Sequence, residues 1–161
     1  MKRRPLILVL ALLAIGAAWY AFRPERLFVD RQVSESFPQA AMETARGGEP
    51  TLLASGSFHS NAHETKGTAS IFRLPDGTMT LRLAGFETSN GPDVRVYLVA
   101  ANDVNDNETV TRAGFIEVGA LKGNVGDQNY DVPADVDLSK YRAVTIWCRR
   151  FSVNFGTAAL M

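Results

Sequence analysis

A single cysteine, Cys148, stands in this chain of 161 residues, within the run Val144-Thr145-Ile146-Trp147-Cys148-Arg149-Arg150-Phe151-Ser152-Val153-Asn154-Phe155. A thiol acts as nucleophile, metal ligand or redox group through its thiolate, and a lone one needs an outside partner to be oxidised reversibly. An intramolecular disulfide and a four-cysteine zinc site are both excluded. On a strand, period two puts Val144, Ile146 and Cys148 on one face and Thr145, Trp147 and Arg149 on the other. Beyond Arg150 the apolar residues are Phe151, Val153 and Phe155, of opposite parity. One continuous core face therefore requires a break, bulge or turn near Arg149-Arg150. Cys148 becomes the last inward residue before that irregularity, where a thiol is within reach from outside. Arg150 lies about 7 Å further along an extended strand. A guanidinium on the cysteine face would favour the thiolate, whereas at a solvated strand end it would do nothing to it.

His59 and His63, the two histidines, are four residues apart in Phe58-His59-Ser60-Asn61-Ala62-His63-Glu64. On a helix both would face one way as metal ligands. Here the stretch reads as a loop between strands, so capping and loop roles compete with that one. His59, His63 and Cys148 would make a three-ligand set for copper or zinc only if the fold gathered them. Gly91-Pro92-Asp93 reads as a tight turn into a strand, with Asp93 bonding to backbone amides. The glycine-rich Gly119-Ala120-Leu121-Lys122-Gly123-Asn124-Val125-Gly126 lacks phosphate-loop spacing and a following helix, and reads as a turn. No Ser-His-Asp order, metalloprotease motif or close carboxylate pair supports a hydrolase.

The elements that must position these residues begin after Pro50. Leu52–His59 is the first strand-like run. Ala69–Leu74, the turn Pro75-Asp76-Gly77 and Thr78–Ala84 form a hairpin in which Met79, Leu81 and Leu83 alternate with Thr78, Thr80, Arg82 and Ala84. Val94–Ala100, Phe115–Leu121, Gln128–Val132, Ala143–Cys148 and Phe151–Ala158 follow. Asn102–Glu108, polar and Asn-rich, reads as an exposed loop. About eight strands, with no convincing helix among them, predict an all-β antiparallel β-sandwich or barrel over residues 51–161.

Residues 1–22 are of another kind. Lys2, Arg3 and Arg4 precede Leu6–Phe22, which carries no charge and would span about 25 Å as a helix. Trp19 and Tyr20 fall where aromatic rings favour a membrane interface, and Arg23 follows. The basic cluster predicts a cytoplasmic N-terminus and an extracytoplasmic domain, periplasmic or at the cell surface. A retained anchor and a cleaved signal peptide, cut near Gly16, Ala17 and Ala18, both export the domain. Residues 23–50 are polar with no sustained period and read as a linker or stalk, with a short helix over Ser36–Arg46. Lys and Arg balance Asp and Glu at 17 each, so no net charge draws the molecule to nucleic acid.

A set of short motifs then follows in order: Gly56-Ser57-Phe58, His63 with Gly67, Gly91-Pro92-Asp93 leading into Val96-Tyr97-Leu98, Gly119-Ala120-Leu121-Lys122-Gly123-Asn124, Gln128-Asn129-Tyr130, and Ile146-Trp147-Cys148 with Phe151 and Phe155-Gly156. In this order the chain resembles the electron-transfer DM-thirteen domain, an extracellular module associated with DOMON and b-type cytochrome domains. The resemblance covers essentially all of residues 51–161. It implies a β-sandwich with a characteristic cysteine, matched by Cys148, used in redox chemistry as a bare thiol or as the ligand of a prosthetic group such as haem. His63 matches the family's histidine, while His59 has no clear counterpart.

Two functions are therefore expected to compete. One is a membrane-tethered extracytoplasmic redox module centred on Cys148, with Trp147, Arg150, His63 and Asp93 around it. It requires a redox partner protein, a small thiol or a cofactor whose identity the sequence leaves unknown. The other is a non-catalytic binding or adhesion sandwich, with Cys148 in the core and the loops Gly85–Asp93 and Asn102–Glu108 as its contact surface.

Overall fold

Alternating apolar residues and well-placed turn residues build most of the strands. In the computed structural model, residues 3–22, 29–38 and 48–161 are described. Helix α1 spans Arg3–Phe22. The β-domain comprises β1 (Thr51–Ser60), β2 (Lys66–Arg73), β3 (Met79–Glu87), β4 (Val94–Val99), β5 (Phe115–Ala120), β6 (Gln128–Val132), β7 (Ala143–Cys148) and β8 (Val153–Ala159). A second helix, α2 (Asn107–Ala113), stands between β4 and β5. The β2–β3 turn is the one the sequence indicates: the Asp76 carboxylate accepts from the Thr78 amide at 2.9 Å, and Gly77 takes a left-handed φ of 89°.

The strands form one antiparallel sheet in the order β5-β4-β7-β8-β1-β2-β3-β6. The expected sandwich takes a barrel-like form, because β1 belongs to both halves. Its first part pairs with β2, and Phe58–Ser60 pair with Gly156–Ala158 of β8. On the far side, β5 and β6 meet through side chains. Gly119 lies against the Tyr130 ring, so close that an added Cβ would sit 3.2 Å from it.

Between the halves lies the main core, with Ile71, Leu81, Leu83, Phe86, Val96, Leu98, Ile146 and Cys148 in one cluster. A second apolar cluster lies on the outer face of β4 and β7, where Tyr97, Val99, Val104, Val110, Ala143 and Trp147 pack together. This corrects two expectations. The stretch Asn102–Glu108 is not a free loop, since Val104 within it is fully buried. A helix does occur among the strands: the Asp106 side chain caps it by accepting from the Thr109 amide at 2.6 Å, and Val110 faces the sheet.

Among the described residues no helix is long and apolar enough to cross a membrane. The apolar side chains of α1 are nonetheless exposed, with Ile7, Leu8, Leu10, Leu12, Leu13, Ile15 and Trp19 all more than half accessible. Residues 29–38, within the expected stalk, lie along the barrel. The Val33 and Glu35 amides donate to the Val125 and Asp127 carbonyls, each at 2.9 Å. Most of the helix anticipated over Ser36–Arg46 lies outside the described residues, and Ser36, Phe37 and Pro38 are non-helical.

Candidate functional site around Cys148

The parity switch is resolved by a hairpin. Arg149–Ser152 form the β7–β8 turn, and Ser152 takes a left-handed φ of 53°, a conformation that costs a non-glycine residue about 1 kcal/mol. The pairing register then slips between Ile146 and Trp147, leaving Phe155 as the extra residue of a bulge. Cys148 ends β7 with Val94 and Val153 as its cross-strand neighbours. As parity requires, it points inward. It is only 1% exposed, so the turn beside it does not open it to solvent. Trp147 faces the other way, into the outer cluster.

The flanking arginines separate by role. Arg149 donates from Nε to Asp93 at 2.9 Å, and its backbone amide donates to the Asp93 carbonyl. Arg95 Nε donates to the same carboxylate at 2.6 Å. Asp93 thus holds Arg95 on β4 and ties the start of that strand to the β7 turn through Arg149, where the sequence pointed to backbone amides. Partial burial pushes its carboxyl upward, but the hydrogen bonds from Arg95 and Arg149 outweigh this and hold it below the usual carboxylate range. Arg150 is exposed in the turn, while the Cys148 side chain lies in the core.

The histidines go to different places. His63 lies against Phe155 with the rings tilted by 43° and 3.9 Å between ring centroids. His59, on β1, bonds through Nε2 to Asp103 Oδ1 at 2.8 Å. Burial raises the Asp103 carboxyl, and the bonds from His59 and the Val104 amide more than offset it, leaving a net downward shift. Among the described residues no group of three or more His, Cys, Asp and Glu is arranged to hold a metal ion.

A cavity of about 620 Å³ opens beside this end of the barrel, walled by Gly91–Val94, Ala120–Asn124 and Val29–Arg31. Val94 borders it and is the cross-strand partner of Cys148, so the thiol belongs to the strand position beside a wall residue. Neither Cys148 nor either histidine lines it. A haem or metal held jointly by Cys148 and His63 does not fit this arrangement: the thiol is packed among apolar side chains and the imidazole lies on a phenyl ring.

Sequence reasoning missed what holds the glycine-rich segment. Gln128 is fully buried, and its side-chain oxygen accepts from the Lys122 and Gly123 amides while its nitrogen donates to the Gly123 carbonyl. Tyr130 donates to the same oxygen at 2.8 Å, and burial pushes its hydroxyl up to about 12. The signal was Gln128 at an inward position of a strand that also carries Tyr130 and Val132.

The family model for electron transfer DM13 matches residues 57–160, almost the whole β-domain and well over half of the chain. This chain belongs to the electron transfer DM13 family. Its DM13 domain thus contains Cys148, His63, the cavity wall from Gly91 to Asn124 and the glycine-rich segment, while α1 and residues 29–38 lie outside the match. No curated protein and no solved structure matches the chain at a significant level.

Proposed function

We propose that this chain is a membrane-tethered, extracytoplasmic electron-transfer module whose exchanging group is the Cys148 thiol. The observation that carries the reading is the position of that thiol, cross-strand neighbour of the cavity-wall residue Val94 and at the foot of an exposed turn. The family supports electron transfer as the activity. The tether rests on α1, whose uncharged run and exposed apolar side chains have no cover among the described residues. Lys2, Arg3 and Arg4 favour an inside N-terminus and an outside domain.

The chemistry open to a lone thiol is exchange with a disulfide of a small molecule or a partner protein. Cys148 Sγ attacks one sulfur of that disulfide, and its proton leaves with the departing thiol. One sulfur–sulfur bond breaks and another forms, joining Cys148 to the partner. A second thiol reverses the step and restores Cys148. Access comes from local opening of the β7–β8 turn, where exposed backbone and a left-handed Ser152 mark the less stable end of the strand pair. Trp147 and the Asp93–Arg149 pair hold the base of that turn.

The burial of Cys148 favours a second reading, a binding module in which the thiol is core packing and the Gly85–Asp93 loop beside the cavity makes the contacts. Equilibration of the full chain in detergent with a small thiol–disulfide buffer separates the two. The redox reading predicts a mixed-disulfide mass on Cys148 that forms and reverses while the protein stays folded, and that is absent from Cys148→Ala. If adduct forms only where the protein unfolds, the binding module stands.

A further inference from the structure

The segment Gly123–Asn129 is held from inside by the domain and presents its outer edge to residues 29–38 of the same chain. Inward, the Gly126 amide donates to the Phe86 carbonyl at 2.7 Å, the Thr88 amide to the Asn124 carbonyl at 2.8 Å, and Gln128 secures Gly123. Outward, the Val125 and Asp127 carbonyls and the Val125 amide meet residues 29–38, with Gln32 bridged in parallel to Val125. The glycines make that approach physically possible. A Cβ at Gly126 would fall 1.9 Å from the Val33 carbonyl oxygen, and one at Gly123 would fall 2.3 Å from that of Arg31.

Side chains add selectivity to these backbone bonds. The Glu35 carboxylate accepts from Lys122 Nζ at 2.8 and 2.9 Å and from the Asn129 amide at 2.7 Å. Burial raises its carboxyl, and the Lys122 and Asn129 bonds together outweigh that and hold it below the usual range. Asn124, almost fully buried, accepts from the Arg31 amide at 2.7 Å and donates to Asp30 at 2.8 Å. Phe37 packs edge-on against Phe72 at 5.1 Å. All of these receiving groups lie within the family match at 57–160, and the segment they receive lies before it.

We infer that the outer edge of Gly123–Asn129, with Lys122 and Phe72, is an extended-peptide binding site selective for a carboxylate two residues before an aromatic ring, and that residues 29–38 are its occupant in this chain. The mode is addition of a strand to an exposed edge, in which main-chain bonds supply affinity and side-chain sites supply choice. Because Val29–Arg31 also wall the cavity, occupancy of the groove closes that side of it. The docking further shortens the chain between α1 and the first docked residue from residues 23–50 to residues 23–28, a length whose greatest reach is about 20 Å.

The test uses the full chain in detergent, with a site-specific protease sequence placed between residues 39 and 47 and cut after purification. The domain is expected to stay with the micelle-bound fragment on size exclusion, held by the groove alone. A synthetic peptide of residues 29–38 should then displace that fragment, and the same peptide carrying Glu35→Ala should compete about tenfold less well. Departure of the domain from the micelle directly after cleavage would overturn the inference. So would equal competition by the two peptides.

Discussion

Trp147→Ala should lower the stability of the domain by about 3–5 kcal/mol, the usual cost of emptying a large aromatic site. Trp147 is 4% exposed and is the floor on which α2 and the preceding loop rest, in contact with a cluster of Tyr97, Val99, Val104, Val110 and Ala143. Its ring also faces Tyr97 at 6.4 Å between centroids. The outer cluster is small, and α2 has seven residues, too few to hold a helix without packing. Removing the indole therefore leaves a cavity and frees the helix that covers it. Urea unfolding followed by far-UV circular dichroism should show the midpoint fall, and hydrogen exchange should show α2 amides losing protection first. A loss below about 1 kcal/mol would mean that the cluster is not the support described.

Gly56→Ala should cost about 3 kcal/mol or more although it adds a single methyl group. The added Cβ would stand 2.0 Å from the Ala159 carbonyl oxygen and 2.7 Å from its carbon. Both are backbone atoms of the facing strand, so no side-chain rotation relieves the clash. The neighbouring Ser55 amide donates to the Met161 carbonyl at 3.1 Å, and the Met161 amide returns a bond to Ser55 at 3.0 Å. This seam joins β1 to the end of the chain and so joins the two halves of the sheet. The expected result is a lower urea midpoint, with exchange protection lost at Ser55 and Met161 before the β2–β3 hairpin. Retained protection at both amides would contradict it.

How much of this was legible depends on whether a feature is local. The β2–β3 hairpin was, because Met79, Leu81 and Leu83 alternate beside an Asp-Gly turn and all three are buried. The inward side of Cys148 was legible for the same reason, and the parity switch located the turn after it. The barrel-like closure was not, since β1 and β8 pair across almost a hundred residues and no periodicity marks their partnership. Helix α2 was hidden because Asn107-Glu108-Thr109-Val110 carries one buried residue in a polar setting. Residues 29–38 were hidden for a deeper reason. Their backbone does the binding, and the glycines that admit it lie ninety residues away, where a sequence reader sees only a turn.

For the candidate site, residue type pointed to Cys148 and family motifs to its neighbourhood, but neither gave its burial or its pairing with the cavity-wall residue Val94. Arg149 is built into the turn by its pairing with Asp93.

We propose that the Cys148 thiol exchanges from within the barrel-like sheet by local opening of the β7–β8 end. The direct measurement is the rate at which Cys148 of the folded full chain reacts with a small aromatic disulfide across sub-denaturing urea concentrations. Local opening predicts a reaction much faster than global unfolding allows and nearly independent of urea, since little surface is exposed in the open form. A rate that matches global unfolding, with the full urea dependence, would make Cys148 a core residue and contradict the claim.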